Sequence, residues 1–548
     1  MRFTKIINLV FLLFALAGLS ACGHDDDDSS SGGGGSSSSS SSGSSSTSSS
    51  GGPIAQNWQT DFSNTDSYDV IDAPAGFSIN ASTLAINTTE ATNADFNGPF
   101  STPAGENVTP QNFFGAVDPA AADADDDPAN AGPFWDGWTI RDPDIEGNLP
   151  GMPTTFHPLQ DDIGTDITAA GAEDCASKGN GLTYGGDIAV FGETFPICII
   201  EDGDLDGDFT LSNDHIYVLD GTIQVGNGDV EGASDAASVN EDVLTIEAGT
   251  QIYGASSTTP SLVITRGSRI EAMGTADHPI ILGAVAFDAG ADPVITDDPT
   301  DLGGRGGWGS LVISGYGEIN NGDANNQTTT EATPDGITRW FGGTDNADSS
   351  GTIRYVVLAE TGEAFRPDEE VQGLTIEGAG SGTTIEYLQI TNSDDDGIEW
   401  FGGAASARYL VIQGVSDDSL DIDLGYQGAI QNALIIQGST QGDRGIESDN
   451  NGSDFGAEPK TSPVIANITI LGNPGDGGTA DANTMGALHH EGFGGQVYRG
   501  VYADDAISGG QFDSGCLDID HEVDETLAYG DVLFNCAAGG LVDDDDTE

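Results

Sequence analysis

From about residue 209 onward the chain repeats one phrase: a short strand of β-branched and aliphatic residues, closed by a Gly, Asn or Asp turn. Residues 244–252 (LTIEAGTQI) are followed by the similar 262–270 (LVITRGSRI), and Leu311, Val312 and Ile313 leading to Gly317, Glu318 and Ile319 keep the same rhythm. Stretches 354–358, 386–390, 408–412, 431–436 and 466–470 then restate a single strand. Its register positions, Tyr355, Tyr387, Tyr409, Asn432 and Asn467, lie 32, 22, 23 and 35 residues apart. A step of 22 to 23 residues is one coil of a parallel β-helix, and the longer steps are a coil plus a loop. One coil alone cannot bury its apolar side, but stacked coils share a continuous core. The period therefore predicts an all-β solenoid over residues 201–537, with an acidic tail at 538–548.

A second register accompanies the first. Asp395-Asp396-Gly397-Ile398-Glu399, Asp417-Asp418-Ser419-Leu420-Asp421 and Asp443-Arg444-Gly445-Ile446-Glu447 share acids, a small residue, an aliphatic and a closing acid, with a weaker copy at 504–508. The aliphatic position is expected to point into the coil and the acids to sit at the turn, which makes one corner of successive coils a row of carboxylates. These motifs, with residues 244–254, the Gly-rich 303–308, and the two Trp-Phe-Gly-Gly runs at 340–343 and 400–403, resemble those of the right-handed parallel β-helix superfamily typified by pectin lyases. The closer resemblance is to secreted or lipidated β-helix proteins of Gram-negative bacteria. It covers about residues 205–510 and implies the fold. It leaves function open, because the superfamily hosts lyases, hydrolases, esterases and inert adhesins.

The N-terminus carries an address. Arg2 and Lys5 precede an apolar run, Ile6 to Gly18, that is too short to span a bilayer. Leu19-Ser20-Ala21-Cys22 then resembles a bacterial lipobox. The resemblance implies a signal peptide at 1–21, lipid on Cys22 and, with Gly23 rather than Asp behind it, an outer-membrane anchor. Asp25 to Asp28 and an unbroken Ser/Gly/Thr tract from Ser29 to Gly52 follow, a composition that stays a flexible coil and reads as a disordered tether over 22–53. Those 24 residues stretch to roughly 80 Å at about 3.4 Å each, holding a body clear of its membrane.

Charge narrows the partners. The chain has 90 Asp plus Glu against 14 Lys plus Arg, a net of −76. Removing Arg2 and Lys5 with the signal leaves 12 basic residues and a net of −78. Nucleic acid and anionic membrane surfaces are excluded as partners, because both need basic patches against their phosphates. A polysaccharide lyase is disfavoured too, since its base is commonly Lys or Arg and the mature chain has only Lys178 and Lys460 as lysines. A polyuronate would be repelled unless bound calcium bridged the two.

Beyond Cys22, the cysteines form two close pairs on either side of the β-rich region, favouring Cys175 with Cys198 and Cys516 with Cys536 as staples of the two ends. Buried free thiols are the alternative. Residues 54–200 show no solenoid period and are expected to form a loop-rich region that caps or packs against the first coils, with a separate small β-domain as the other reading.

Two features point to chemistry. Asp202, Asp204, Asp206 and Asp208 alternate around Gly203 and Gly207, the spacing of the first half of a calcium loop; position 12 is Asn213 instead of Glu, so a lone Ca²⁺ loop or a solvated acidic turn is expected in place of a paired EF-hand. The carboxylate row carries a magnitude. Coils about 4.8 Å apart set unit charges at a repulsion of roughly 1 kcal/mol in water and roughly 3 to 4 kcal/mol at an effective dielectric near 20. Such a corner is either well hydrated or holds cations, and weak Ca²⁺ occupancy is expected. The same acids serve a hydrolase: adjacent coils fit the roughly 5 Å of a retaining glycosidase, with Asp418 and Asp421 partnered by Asp396 or Asp443. Asp417-Asp418-Ser419-Leu420 resembles the paired-Asp motif of polygalacturonases, whose other motifs are missing. Trp308, Trp340 and Trp400 are either sugar platforms or core residues, and the His489-His490-Glu491 run lacks a third ligand for zinc. The reading is a lipid-anchored surface binding or adhesion module, calcium-stabilised, for a neutral glycan or a surface protein; a glycan-active hydrolase is the alternative.

Overall fold

The computed structural model of the protein describes residues 69–542 apart from 73–76, 88–100, 106–107, 121–131, 141–173, 191–192, 206, 233–238, 286–304, 332–335, 364–370, 439–441, 473–483, 505–509, 521–522 and 525. It is a right-handed parallel β-helix. A coil consists of one short strand, such as Ile398–Phe401, and one long strand, such as Ser406–Gln413, bent in the middle. The bend falls on Tyr355, Tyr387, Tyr409, Asn432 and Asn467, each with φ between +49° and +57° or at +60°, and continues at Arg499 and Asp531. The spaced register of the sequence is thus a row of left-handed residues. Asn tolerates that conformation because its short amide bonds locally. The tyrosines offset its cost by stacking coil on coil, with ring centroids 4.3 and 4.6 Å apart.

The bend divides the wall into three faces of parallel strands. The first is formed by the short strands, in order Leu311–Ser314, Leu374–Glu377, Ile398–Phe401, Leu420–Asp423 and Glu447–Ser448. The second and third are the halves of the long strands before and after the bend. Inward residues such as Ile376, Trp400, Ile422, Ile390, Ile412 and Ile435 fill one continuous core. The first coil begins at Glu193, earlier than the expected 201, and the strand Leu541–Val542 pairs with residues 517–518, drawing the start of the acidic tail into the last coil.

The N-terminal region corrects the expectation most. Its first strand, Asp69–Asp72, pairs in parallel with Ala528–Asn535, so it closes the last coil instead of the first. From there the chain runs back over the third face. Phe114, Ala116 and Trp135 cover Val411, Leu434, Leu471, Val501 and Leu533, and Trp138 with Ile140 covers Ile281 and Val357. Among the described residues it meets the first coil at Cys175, bonded to Cys198 with Cα atoms 5.4 Å apart, where Thr183–Val190 folds antiparallel onto Glu193–Leu205. At the other end Cys516 and Cys536 are joined, Cα atoms 5.7 Å apart. The described residues of the segment form a strap on the third face, from the last coil to the coil that carries Ile281, and so are not confined to the first coils.

Candidate functional site

Outward positions of the first face follow one line from coil to coil: Val263, Val312, Thr375, Glu399, Asp421, Glu447. Alternation along each strand dictates this. Ile398, Leu420 and Ile446 point inward and are fully buried, so the next residue must face out. At the preceding turn Asp396 and Asp418 stack on neighbouring coils: Asp418 donates its backbone N–H to Asp396 Oδ1 at 2.9 Å, and Arg444 donates its own to Asp418 Oδ1 at 2.5 Å. The carboxylate row is therefore wider than a corner, since it spills from the turn onto the face of the strands.

These acids are poorly solvated. Asp396, Glu399, Asp418 and Asp423 are buried, and Asp421, Glu447 and Asp449 are half-buried. Burial, reinforced by their neighbours' charges, pushes the carboxyls of Asp396, Glu399, Asp418 and Asp421 well above the usual range. Asp449 is likewise pushed up to about 7 by burial, against the opposing pull of His490. Glu447 behaves oppositely: burial would raise it, but hydrogen bonds from Asp418 and His490 and the charge of Arg444 hold it well below the usual range. His490 Nε2 lies 3.3 Å from Glu447 Oε1. Burial disfavours its charge, yet Glu447, Asp449 and Glu491 push the imidazole up to about 9. Arg444 also contacts Asp443. Arg444 and His490 thus sit at one end of the row, while like-charged neighbours add to the burial of Asp396, Glu399 and Asp421.

The Asp396 end of the row has the geometry of a cation site. Carboxylate oxygens of Asp396, Glu399 and Asp421 all lie within 4.8 Å of one another, as do those of Asp395, Asp396 and Asp417. Ca²⁺ binds oxygens at about 2.3–2.6 Å, so ligands on one ion are at most about 5 Å apart. The all-oxygen donor set suits a hard cation, and Asp396 belongs to both triads.

The other candidates divide. Asp443 is held by Arg444, while the side-chain partner of Asp418 is Glu447. Glu399, Glu447 and His490 belong to the site, though the sequence pattern singled out the aspartates. Trp308 and Trp400 are fully buried core residues and offer no stacking face; Trp340 is half-buried in a hairpin with Thr329. His489 is sealed in the interior, where burial holds it down at about 3, and its two ring nitrogens are taken by Ser448 and Tyr529, which leaves neither turned toward a zinc ion. Asp202 and Asp204 fall on the strand Glu193–Leu205, Asp206 lies outside the described residues, and Asp208 accepts a hydrogen bond from Val243 N at 3.1 Å. Cys22 also lies outside the described residues.

Comparison with known proteins agrees with the architecture. A family model described as a pectate-lyase-like beta helix domain matches residues 203–514. No curated protein and no solved structure matches the chain. That span takes in more than half of the sequence and every coil that carries the acidic face, and the chain belongs to the pectate-lyase-like β-helix family.

Proposed function

We propose that this protein is a lipid-anchored surface module whose first face holds a divalent cation, calcium by its donor set, and binds a neutral glycan beside it. The observation that carries the reading is the pair of oxygen triads sharing Asp396, where the charges of neighbouring acids add to the burial of Glu399 and Asp421. Asp395, Asp396, Glu399, Asp417 and Asp421 would hold the ion, which supplies charge neutralisation and open positions for sugar hydroxyls. The lipid on Cys22 and the acidic tether keep this face away from the membrane. Titration calorimetry with CaCl₂, followed by a glycan array with and without chelator, tests the reading. Heat of binding lost in Asp396→Asn together with chelator-sensitive glycan retention is expected; no Ca²⁺ uptake and no thermal shift on chelation would remove calcium from it.

One observation favours a second reading. Glu399 and Asp421 are hydrogen-bonded carboxyls on adjacent coils, inside the roughly 5 Å span of a retaining glycosidase. Reducing ends released from a glycan panel, and lost in Asp421→Asn and Asp418→Asn, would replace the binding-only function with hydrolysis.

A further inference from the structure

The outward line of the first face is not open along its length. It starts one coil before Val263, at Gln224, and continues past Glu447 to Leu488. Gln224, Val263, Val312 and Thr375 are buried although alternation turns them away from the core, whereas Asp421, Glu447 and Leu488 are half-buried. Two other pieces of chain supply the cover. One is the hairpin in which Thr328–Thr329 pairs with Trp340–Phe341. It is stitched down at both ends of the covered stretch. At the far end Arg339 Nε donates to Gln224 Oε1 at 2.9 Å, and the backbone N–H of Trp340 donates to Asp229 O at 2.8 Å. At the near end Thr330 donates to Glu377, two residues beyond Thr375 on the same strand. From the turn side Val371 packs on Val263 and Val312, and Thr375 Oγ1 donates to Gln372 Oε1 at 2.6 Å. Arg339 and Val371 are themselves buried, so the cover is packed against the face.

The cover ends at the cation triads. Glu331, which follows Thr330 on the hairpin, is close enough to add its charge to that of Glu399, and Asp421 on the next coil is the first half-buried member of the line. From Gln224 to Glu399 the covered stretch is four coil steps, roughly 19 Å at about 4.8 Å each. Asp396, Glu399 and Asp421 therefore stand at a dead end, with covered coils on one side and the half-buried Glu447 and Leu488 on the other. A linear glycan that lies along this face and touches an ion there can continue in one direction only. An interior stretch of chain has to leave in both. A terminal sugar also keeps the hydroxyl that an interior unit uses in its next linkage, and beside a neighbouring hydroxyl it offers a pair of hard oxygens of the kind Ca²⁺ takes.

We infer that this protein recognises the ends of neutral glycan chains: the terminal sugar sits on the ion at the blind end of the first face, and the rest of the chain runs out over Glu447 and Leu488. The inference rests on the calcium and glycan reading of the site and adds which part of the ligand it takes. Arg339 and Val371 are then specificity-determining residues, since they close the coils over which an interior stretch would have to pass.

The test compares chain lengths. The full chain, loaded with Ca²⁺, is titrated with linear glucan, mannan, xylan and galactan, each as a hexasaccharide and as a polymer of known length, and with a cyclic glucan hexasaccharide that has no end. Calorimetry and sedimentation read the stoichiometry. One protein bound per chain end at both lengths is expected, with affinity per sugar unit falling as the chain lengthens, and the ring should not compete with the open hexasaccharides. Arg339→Ala combined with Val371→Ala should open the blind end and raise the number of proteins bound per polymer; if that variant does not fold, the wild-type stoichiometries decide alone. Bound protein that grows in proportion to polymer length, or a ring held as tightly as the open glucan, would overturn the inference and leave calcium-dependent glycan binding in place. Retention of none of these glycans by the calcium-loaded protein would remove both.

Discussion

Two outward lines run along the same coils and meet opposite fates. On the third face the line Ile281, Val357, Gln389, Val411, Leu434, Thr469, Val501, Leu533 is mostly apolar, and the protein covers it with its own chain. Its two polar members are answered by the strap: Gln389 by Ile140, and Thr469 by Ala116. On the first face the line turns from Val263 and Val312 to Glu399, Asp421 and Glu447, and what answers them at the Asp396 end is more acid. A solenoid face buried on both sides is structural in the manner of a parallel sheet. One whose buried carboxyls repel one another carries a cost that a bound cation would offset.

The comparison breaks most readily on the strap side. Trp135 and Trp138 are each 1% exposed, and either one replaced by Ala should cost about 3–5 kcal/mol in denaturant titration. A loss below 1 kcal/mol would mean that the third face does not depend on its cover. On the acidic side, saturating Ca²⁺ at about 100 times Kd should add about 2.7 kcal/mol. Asp421→Asn should stabilise the metal-free protein by removing a repelling charge, and should abolish the calcium increment; a calorimetric melt reads both.

A third prediction separates the two faces by pH. Asp449 titrates at about 7 in the fold, above its unfolded value, and His490 at about 9, also above its own. Both contribute stability that is present at low pH and lost as pH rises through those values. The metal-free protein should therefore weaken steadily between about pH 4 and 9, through Asp449 in the lower part and His490 in the upper, and His490→Gln should flatten the upper part of that slope. A melting temperature that rises over this range would contradict the assignment. The smallest effect belongs to the surface: Glu386 pairs with Arg354 and Arg408, whose side chains are 43% and 47% exposed, and Glu386→Gln should cost under about 1 kcal/mol.

The legible parts of this molecule are those with a period. Tyr355, Tyr387, Tyr409, Asn432 and Asn467 announced a register, and that register is the left-handed bend of the wall. The Asp396 and Asp418 pattern likewise marked the acidic turn. Glu399 and Glu447 closed the same motifs, but their membership of the site depends on strand alternation placing them outward beside Asp421. His490 stands 43 residues beyond Glu447 in sequence, and the intervening coil hides that they meet across adjacent rungs. Trp308 and Trp400 are ambiguous in sequence because a Trp before a Gly pair serves a core or a surface equally well.

The sequence by itself determined the coil, its strands, its acidic motif and the cysteine pairs flanking it, because these follow from residues a few positions or one repeat apart. Tertiary structure alone decided that Asp69–Asp72 joins the last coil, some 460 residues away, and that the strap runs back to Cys175. Such pairings have no period to betray them; they are chosen by which apolar line is left uncovered once the solenoid has closed. It likewise decided that Arg444 meets Asp443 and His490 meets Glu447, at one end of the row.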